Sequence, residues 1–332
     1  MTRKSESVDD KLARLTELDS VDNPAEIQGQ IKTALQDRHY RVVAKAASLC
    51  AEGLLYDLET DLLAAYPRFL VDPLKLDPNC LAKRSIARAL ADLGCNDVSF
   101  FLEGVRYHQL EPVWGGSMDT AVDLRCQCAV GLVATGYPRA LHELTALLAE
   151  EESNARTGAV RAIACGNPKE AELLLRFKVL SGDEEPEVIA ECLKALLDLE
   201  PEESMPFVAG YLVKGDESNR QLAALALGES RRPEAFEFLR AAWEDSVLPS
   251  QLQRTLIGGI ALHRSDEAFA WLLALIREGN TGLIADVVDA LSLYARTARH
   301  QEQIRRAFEA RGNLKVFEQF AHLWEADLRR TK

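Results

Sequence analysis

Apolar positions recur along this chain at steps of three and four residues, the period of an α-helix, and the helical segments come in pairs. One member of each pair is rich in small residues. The segments "RVVAKAASLCAEG" (41–53), "KRSIARALADLG" (83–94), "LRCQCAVGLVATG" (124–136) and "ARTGAVRAIACG" (155–166) each start near a basic residue and end at glycine. Four later ones, "EVIAECLKALLDL", "NRQLAALALGES", "QRTLIGGIALH" and "LIADVVDALSLY", keep the pattern without the final glycine. A large apolar residue near the end of each sets a register: Leu49, Leu90, Leu132, Ile163, Leu196, Leu227, Ile260 and Leu291. The spacings are 41, 42, 31, 33, 31, 33 and 31 residues.

A second amphipathic segment lies between successive anchors, as in "PRALHELTALLAE", "PEAFEFLRAAWE" and "DEAFAWLLALIRE". Turns such as "GNPKE" and "KGDESN" separate the two. No stretch of any length shows the period-two alternation of a strand. The repeating unit is therefore two helices in 31–33 residues. One such pair cannot bury its apolar faces alone, so pairs must stack. Small residues on the anchor helices (Ala44, Ala87, Gly131, Ala159, Ala224, Gly258, Gly259) let neighbouring helices approach closely. The expected fold is all-α: a right-curving α-solenoid of about eight helix pairs over residues 25–312.

The stretches "KRSIARALADLGCNDVSFFLEGV" (83–105) and "NRQLAALALGESRRPEAFEFLRAAWED" (219–245) carry a family resemblance. They resemble the HEAT-repeat family, in particular the short HEAT-like repeats of the phycobilisome lyase type. The resemblance covers roughly residues 25–310. It implies a fold and leaves function open, since such repeats serve many roles.

The ends and two insertions depart from the repeat. Residues 1–24 are polar, with a short helix expected near Asp9–Leu18. Residues 313–332 read as a capping helix with an apolar stripe of Phe317, Phe320, Leu323, Trp324 and Leu328. The first two repeats are longer by about ten residues. Their additions fall at 68–79 ("RFLVDPLKLDPN") and 107–120 ("YHQLEPVWGGSMDT"). Successive turns of this kind lie on one edge, so the insertions should be neighbours, and their apolar side chains should pack on each other or on helix ends. Pro112 should push Glu111 into an extended conformation. Thr120 with Asp123 resembles a capping box for the next helix.

Chemistry narrows the functional classes. The formal charge is −13, which argues against a nucleic-acid partner, because phosphate binding needs a basic surface. The polar N-terminus and the lack of any 18-residue apolar run point away from a membrane and towards the cytoplasm. Seven cysteines without a CxxC pair read as reduced, mostly buried thiols rather than a metal or redox site. The resemblance brings enzymes to test. Deoxyhypusine hydroxylases of this fold carry several His-Glu dyads for two irons, whereas only His142-Glu143 matches here. Alkylpurine DNA glycosylases need a basic face. No P-loop, GxSxG or HExxH is present. No catalytic, cofactor or metal residue is assigned.

The candidate binding residues are basic or aromatic. Seven residues before the anchors stand Val42, Lys83, Arg125, Arg156, Ile189, Arg220, Gln253 and Ile284, four of them basic. These suggest a ladder stitching repeats together, with Asp123, Glu152, Asp183 and Asp216 as turn partners. Arg84, Arg88, Arg125 and Arg161 are candidates for a partner-binding patch as well. Trp114 is the candidate anchor in the second insertion, since tryptophan is enriched at interface hot spots. The expected function is a non-catalytic scaffold that binds a protein or peptide along its concave face and N-terminal-half loops. The alternative is a lyase-like or other accessory enzyme acting on a protein-bound group.

Overall fold

The computed structural model describes residues 6–20, 23–244, 248–313 and 315–318. The chain divides into two compact units, residues 1–171 and 172–332.

The first unit contains α1 (Val8–Thr16), α2 (Pro24–Leu35), α3 (Tyr40–Glu52), α4 (Glu59–Ala65), α5 (Pro73–Leu76), α6 (Leu81–Asp92) and α7 (Val98–Gly104). A hairpin of β1 (Leu110–Val113) and β2 (Gly116–Asp119) follows, then α8 (Val122–Ala134), α9 (Ala140–Leu147) and α10 (Ser153–Ala164). Helices α3, α6, α8 and α10 pack side by side in that order, as stacked repeats require. Their anchors Leu90, Leu132 and Ile163 are fully buried, and Leu49 is nearly so. Helix α1 is the short helix expected near Asp9–Leu18. A reciprocal capping box between Ser7 and Asp10 starts it, and Leu15 buries it against the unit.

Helix α11 (Pro168–Ser181) spans the division. The second unit continues with α12 (Pro186–Leu199), α13 (Pro201–Lys214), α14 (Glu217–Ser230), α15 (Pro233–Trp243), α16 (Ser250–His263), α17 (Asp266–Glu278), α18 (Ile284–Leu291) and α19 (Ala298–Arg311). Here α12, α14, α16 and α18 form the row of first helices. Leu196, Leu227, Ile260 and Leu291 are fully buried in it. Helices α14 and α16 approach closely: a Cβ on Gly228 would lie 2.0 Å from the Gly259 carbonyl oxygen. Glycine is required there by backbone contact, whereas Gly258 beside it faces open space. The cap helix expected at 313–332 falls almost wholly outside the described residues. Within them, the Phe317 ring lies 6.1 Å from that of Phe308.

Each unit is thus a stack of helix pairs, the architecture of an α-solenoid. The first stack also carries one short hairpin that the sequence did not reveal. The hairpin runs in register from Leu110↔Asp119 to Val113↔Gly116. The two residues at its turn are Trp114 and Gly115, and Gly115 has φ of +92°, a conformation that favours glycine. Each strand has four residues, too few to show alternation, and most face solvent. A Gly-Gly pair between short β-compatible runs is the signal that marks such a turn.

Candidate functional site

The hairpin stands on a buried network of charges. Four lysine or arginine residues occupy the position seven before an anchor, and each reaches backbone carbonyls in the turn that precedes its helix. Lys83 Nζ donates to the Phe69 carbonyl at 3.2 Å, and Arg125 Nη1 to that of Tyr107 at 3.0 Å. Arg156 donates to Glu150 and Glu151 carbonyls at 2.8 and 2.7 Å, and Arg220 to Leu212 at 2.8 Å. The last carbonyls of a helix or turn have no internal partner, so a cation placed here satisfies them and the local dipole together. Each of the four cations thus binds the turn before its own helix.

The acidic turn partners divide accordingly. Asp123 pairs with Arg84 at 2.6 Å and joins α8 to α6. Asp183 pairs with Lys178 at 2.8 Å, and Asp216 caps α14 through the Asn219 N–H. Glu152 sits at the N-cap of α10 without a capping bond.

In the first unit Lys83 and Arg125 also meet carboxylates. Lys83 and Asp77 are both fully buried, with Nζ 2.9 Å from Oδ2. Asp77 also accepts the N–H groups of Ala82 and Lys83, which satisfies two otherwise unpaired donors in the first turn of α6. Arg125 is fully buried too, held by Asp119 and Glu150 at 2.6 Å each. Unpaired, each buried charge would cost several kcal/mol; here each has a counter-charge.

Asp119 closes the hairpin onto this network. It accepts the N–H groups of Gln109 and Ala121 at 3.0 and 2.9 Å, and its Oδ2 lies 2.7 Å from His108 Nδ1. Burial alone would raise its carboxyl, but these bonds and Arg125 outweigh burial and hold it at about 2. Glu111 does the same for the other strand. Its Oε1 accepts from Asn79 N–H (2.6 Å), Gln109 Nε2 (2.8 Å) and the Thr120 hydroxyl (2.7 Å). Gln109 Nε2 also donates to the Asp77 carbonyl at 2.9 Å. The insertions at 68–79 and 107–120 are therefore neighbours, as expected.

What joins them is polar. Of the apolar side chains expected to pack there, Phe69 is buried, whereas Leu70, Leu74, Leu76, Leu110, Val113 and Met118 are exposed. The capping box of Thr120 and Asp123 is absent as well. Thr120 is spent on Glu111, Asp123 on Arg84, and the N-cap of α8 is Ala121, which has no side-chain cap to offer.

The candidate binding residues fall into two groups. Trp114 is 103% exposed at the tip of the hairpin. Arg88 is exposed, with Asp92 3.6 Å away on the same helix. It lines a hollow of about 170 Å³ between α3 and α6, shared with Ser48, Glu52 and Ser85. Arg84 is partly exposed, and Arg161 is exposed on α10. Arg125 is the exception. With no exposed surface and both carboxylates engaged, it belongs to the support of the hairpin and not to a solvent-facing patch. The support residues that sequence reasoning missed are Asp77, Gln109, Glu111 and Glu150. Their only signal was a cation seven positions before an anchor.

The His142-Glu143 dyad is also occupied: Arg106 holds the Glu143 carboxylate through two bonds of 2.7 and 2.6 Å. Among the described residues no cluster of three or more His, Cys, Asp or Glu side chains could hold a metal. Nor is any described helix long and apolar enough to cross a membrane.

Residues 173–250 match the family of HEAT repeats. The matched stretch runs from α11 to the start of α16. Among solved structures, human deoxyhypusine hydroxylase in complex with glycerol aligns at 16% identity and a TM-score of 0.29, over 78% of this chain and 91% of that one. An engineered protein aligns at 17% identity and a TM-score of 0.32, over 92% and 90%. A second engineered protein gives 19% and 0.20, over 87% and 96%. No curated protein matches the chain.

Proposed function

We propose that this chain is a non-catalytic scaffold that binds a protein partner through the hairpin of its first unit. Trp114 is the anchor, and the exposed Arg88 and Arg161, with the partly exposed Arg84, are the cationic residues of the same unit that meet acidic groups on the partner. One observation carries the reading: a fully exposed tryptophan is presented at the turn of a hairpin whose base is locked by buried ion pairs. A tryptophan side chain offers roughly 200 Å². At about 25 cal/mol per Å², covering it is worth on the order of 5 kcal/mol before the cost of association. Preorganisation by Asp119 and Glu111 lowers the ordering cost of using it. The buried charges beneath the hairpin have internal partners, which suits support better than chemistry.

The test is affinity capture with the full chain, comparing wild type with Trp114→Ala. A partner captured by wild type should be lost by the variant, while helical circular dichroism and melting stay unchanged. Equal capture by both proteins would remove Trp114 from the interface. In a second arm, reversing Arg88 and Arg161 to Glu should weaken capture of that partner; unchanged capture would remove the cationic flank.

A further inference from the structure

The second unit carries a recognition groove of different chemistry. Between α13 and α15 lies an open cavity of about 550 Å³, within the size range of ligand pockets. Its apolar lining comes from Pro201, Met205, Pro206 and Phe238. Its rim carries the carboxylates of Glu202, Glu234 and Glu237, with Arg232 as the lining cation. A neighbouring cavity of about 510 Å³ between α15 and α17 shares Glu234 and Glu237 and adds Glu267, with Arg231 as its lining cation and Pro233 and Phe236 as its apolar surface. The two cavities are thus adjoining subsites, one helix pair apart, along a shared ridge of carboxylates.

The backbone points the same way. Pro206 stands inside α13 and lines the first cavity with Glu202. Having no N–H, it cannot give the Glu202 carbonyl the usual helical bond. Glu237 is held by Arg240 at 2.6 Å. Glu202 and Glu234 have no ion-pair partner among the described residues. The field around them is acidic, with sixteen Asp or Glu against eight Lys or Arg between residues 172 and 244. Regional charge of this kind draws a cationic ligand and sets its orientation.

We propose that this groove binds an extended basic segment of a partner protein, with apolar side chains entering the two cavities and intervening Lys or Arg side chains meeting the carboxylate ridge. The site is separate from the hairpin and does not depend on it. The probe is a fluorescein-labelled dodecapeptide alternating arginine and leucine, compared with the same peptide carrying glutamate for arginine. Fluorescence anisotropy with the full chain should show binding of the arginine peptide only. The double variant E234K/E237K should weaken it by about tenfold or more. The control E229K/D289K makes the same charge change at exposed positions on α14 and α18, and should leave affinity within about twofold. Trp114→Ala should bind the peptide as wild type does, which separates this site from the hairpin. No binding to wild type, or equal weakening by both double variants, overturns the proposal.

Discussion

Arg125 and Asp119 form an ion pair of 2.6 Å in which the guanidinium has no exposed surface, so the end of β2 is fixed to the first turn of α8. A pair buried this deeply is a poor source of net stability but is costly to break, because the remaining charge stays out of water. Asp119→Asn leaves Arg125 with Glu150 and the Tyr107 carbonyl only. Its expected cost is about 3 kcal/mol, the low end for such a break. The exposed pair of Arg84 and Asp123 has the same length, yet Asp123→Asn should cost less than about 1 kcal/mol. Urea unfolding of the two variants reads the contrast. Equal losses would show that burial does not set the value of these pairs.

Acid should loosen the hairpin in a defined window. Asp119 titrates at about 2 in the folded chain against an ordinary 3.8. Glu111 is lowered as well: burial pushes it up, and the bonds from Thr120, Gln109 and Asn79 more than reverse that. A carboxyl depressed by folding stabilises the native state above its unfolded value, and that contribution is lost as pH falls towards the folded one. Stability from Asp119 is therefore complete above about pH 4 and disappears towards about pH 2. Urea midpoints measured across that range should fall more steeply for wild type than for Asp119→Asn. Parallel profiles would place the acid sensitivity elsewhere.

The repeat was legible in sequence because its anchors serve one purpose. Each of the eight marks a buried helix face, and every one is buried in the structure. The hairpin was not legible, because its strands are short and bury little, so no periodicity records them. The role of Arg125 was legible only in part. Its place in the repeat register identified a ladder, but burial came from Asp119 and Glu150, which lie six residues before and 25 residues after it. The missing glycines of the later repeats have a local answer. Arg231 and Arg264 take the left-handed conformation, φ of 51° and 59°, that Gly94 and Gly136 supply in earlier turns. A helix can therefore end on the same geometry with a different residue, at a local cost of about 1 kcal/mol.

Thiol reactivity gives a third test, one that reports on the packing of the anchor helices. All seven cysteines are free, but their surroundings differ sharply. Burial pushes the Cys50, Cys80 and Cys192 thiols up to about 12 and Cys126 up to about 11, and it raises Cys95 and Cys128 as well. Cys165, by contrast, is exposed just past α10. Only the thiolate attacks a disulfide reagent, so access and ionisation act together. With an aromatic disulfide reagent at pH 8, the native chain should release one equivalent quickly from Cys165, one more slowly from the half-buried Cys126, and the five buried thiols only on unfolding. Cys165→Ser should abolish the fast phase and leave the slower ones intact. A fast phase of two or more equivalents, or one that survives Cys165→Ser, would mean that α3, α6, α8 or α12 opens without global unfolding.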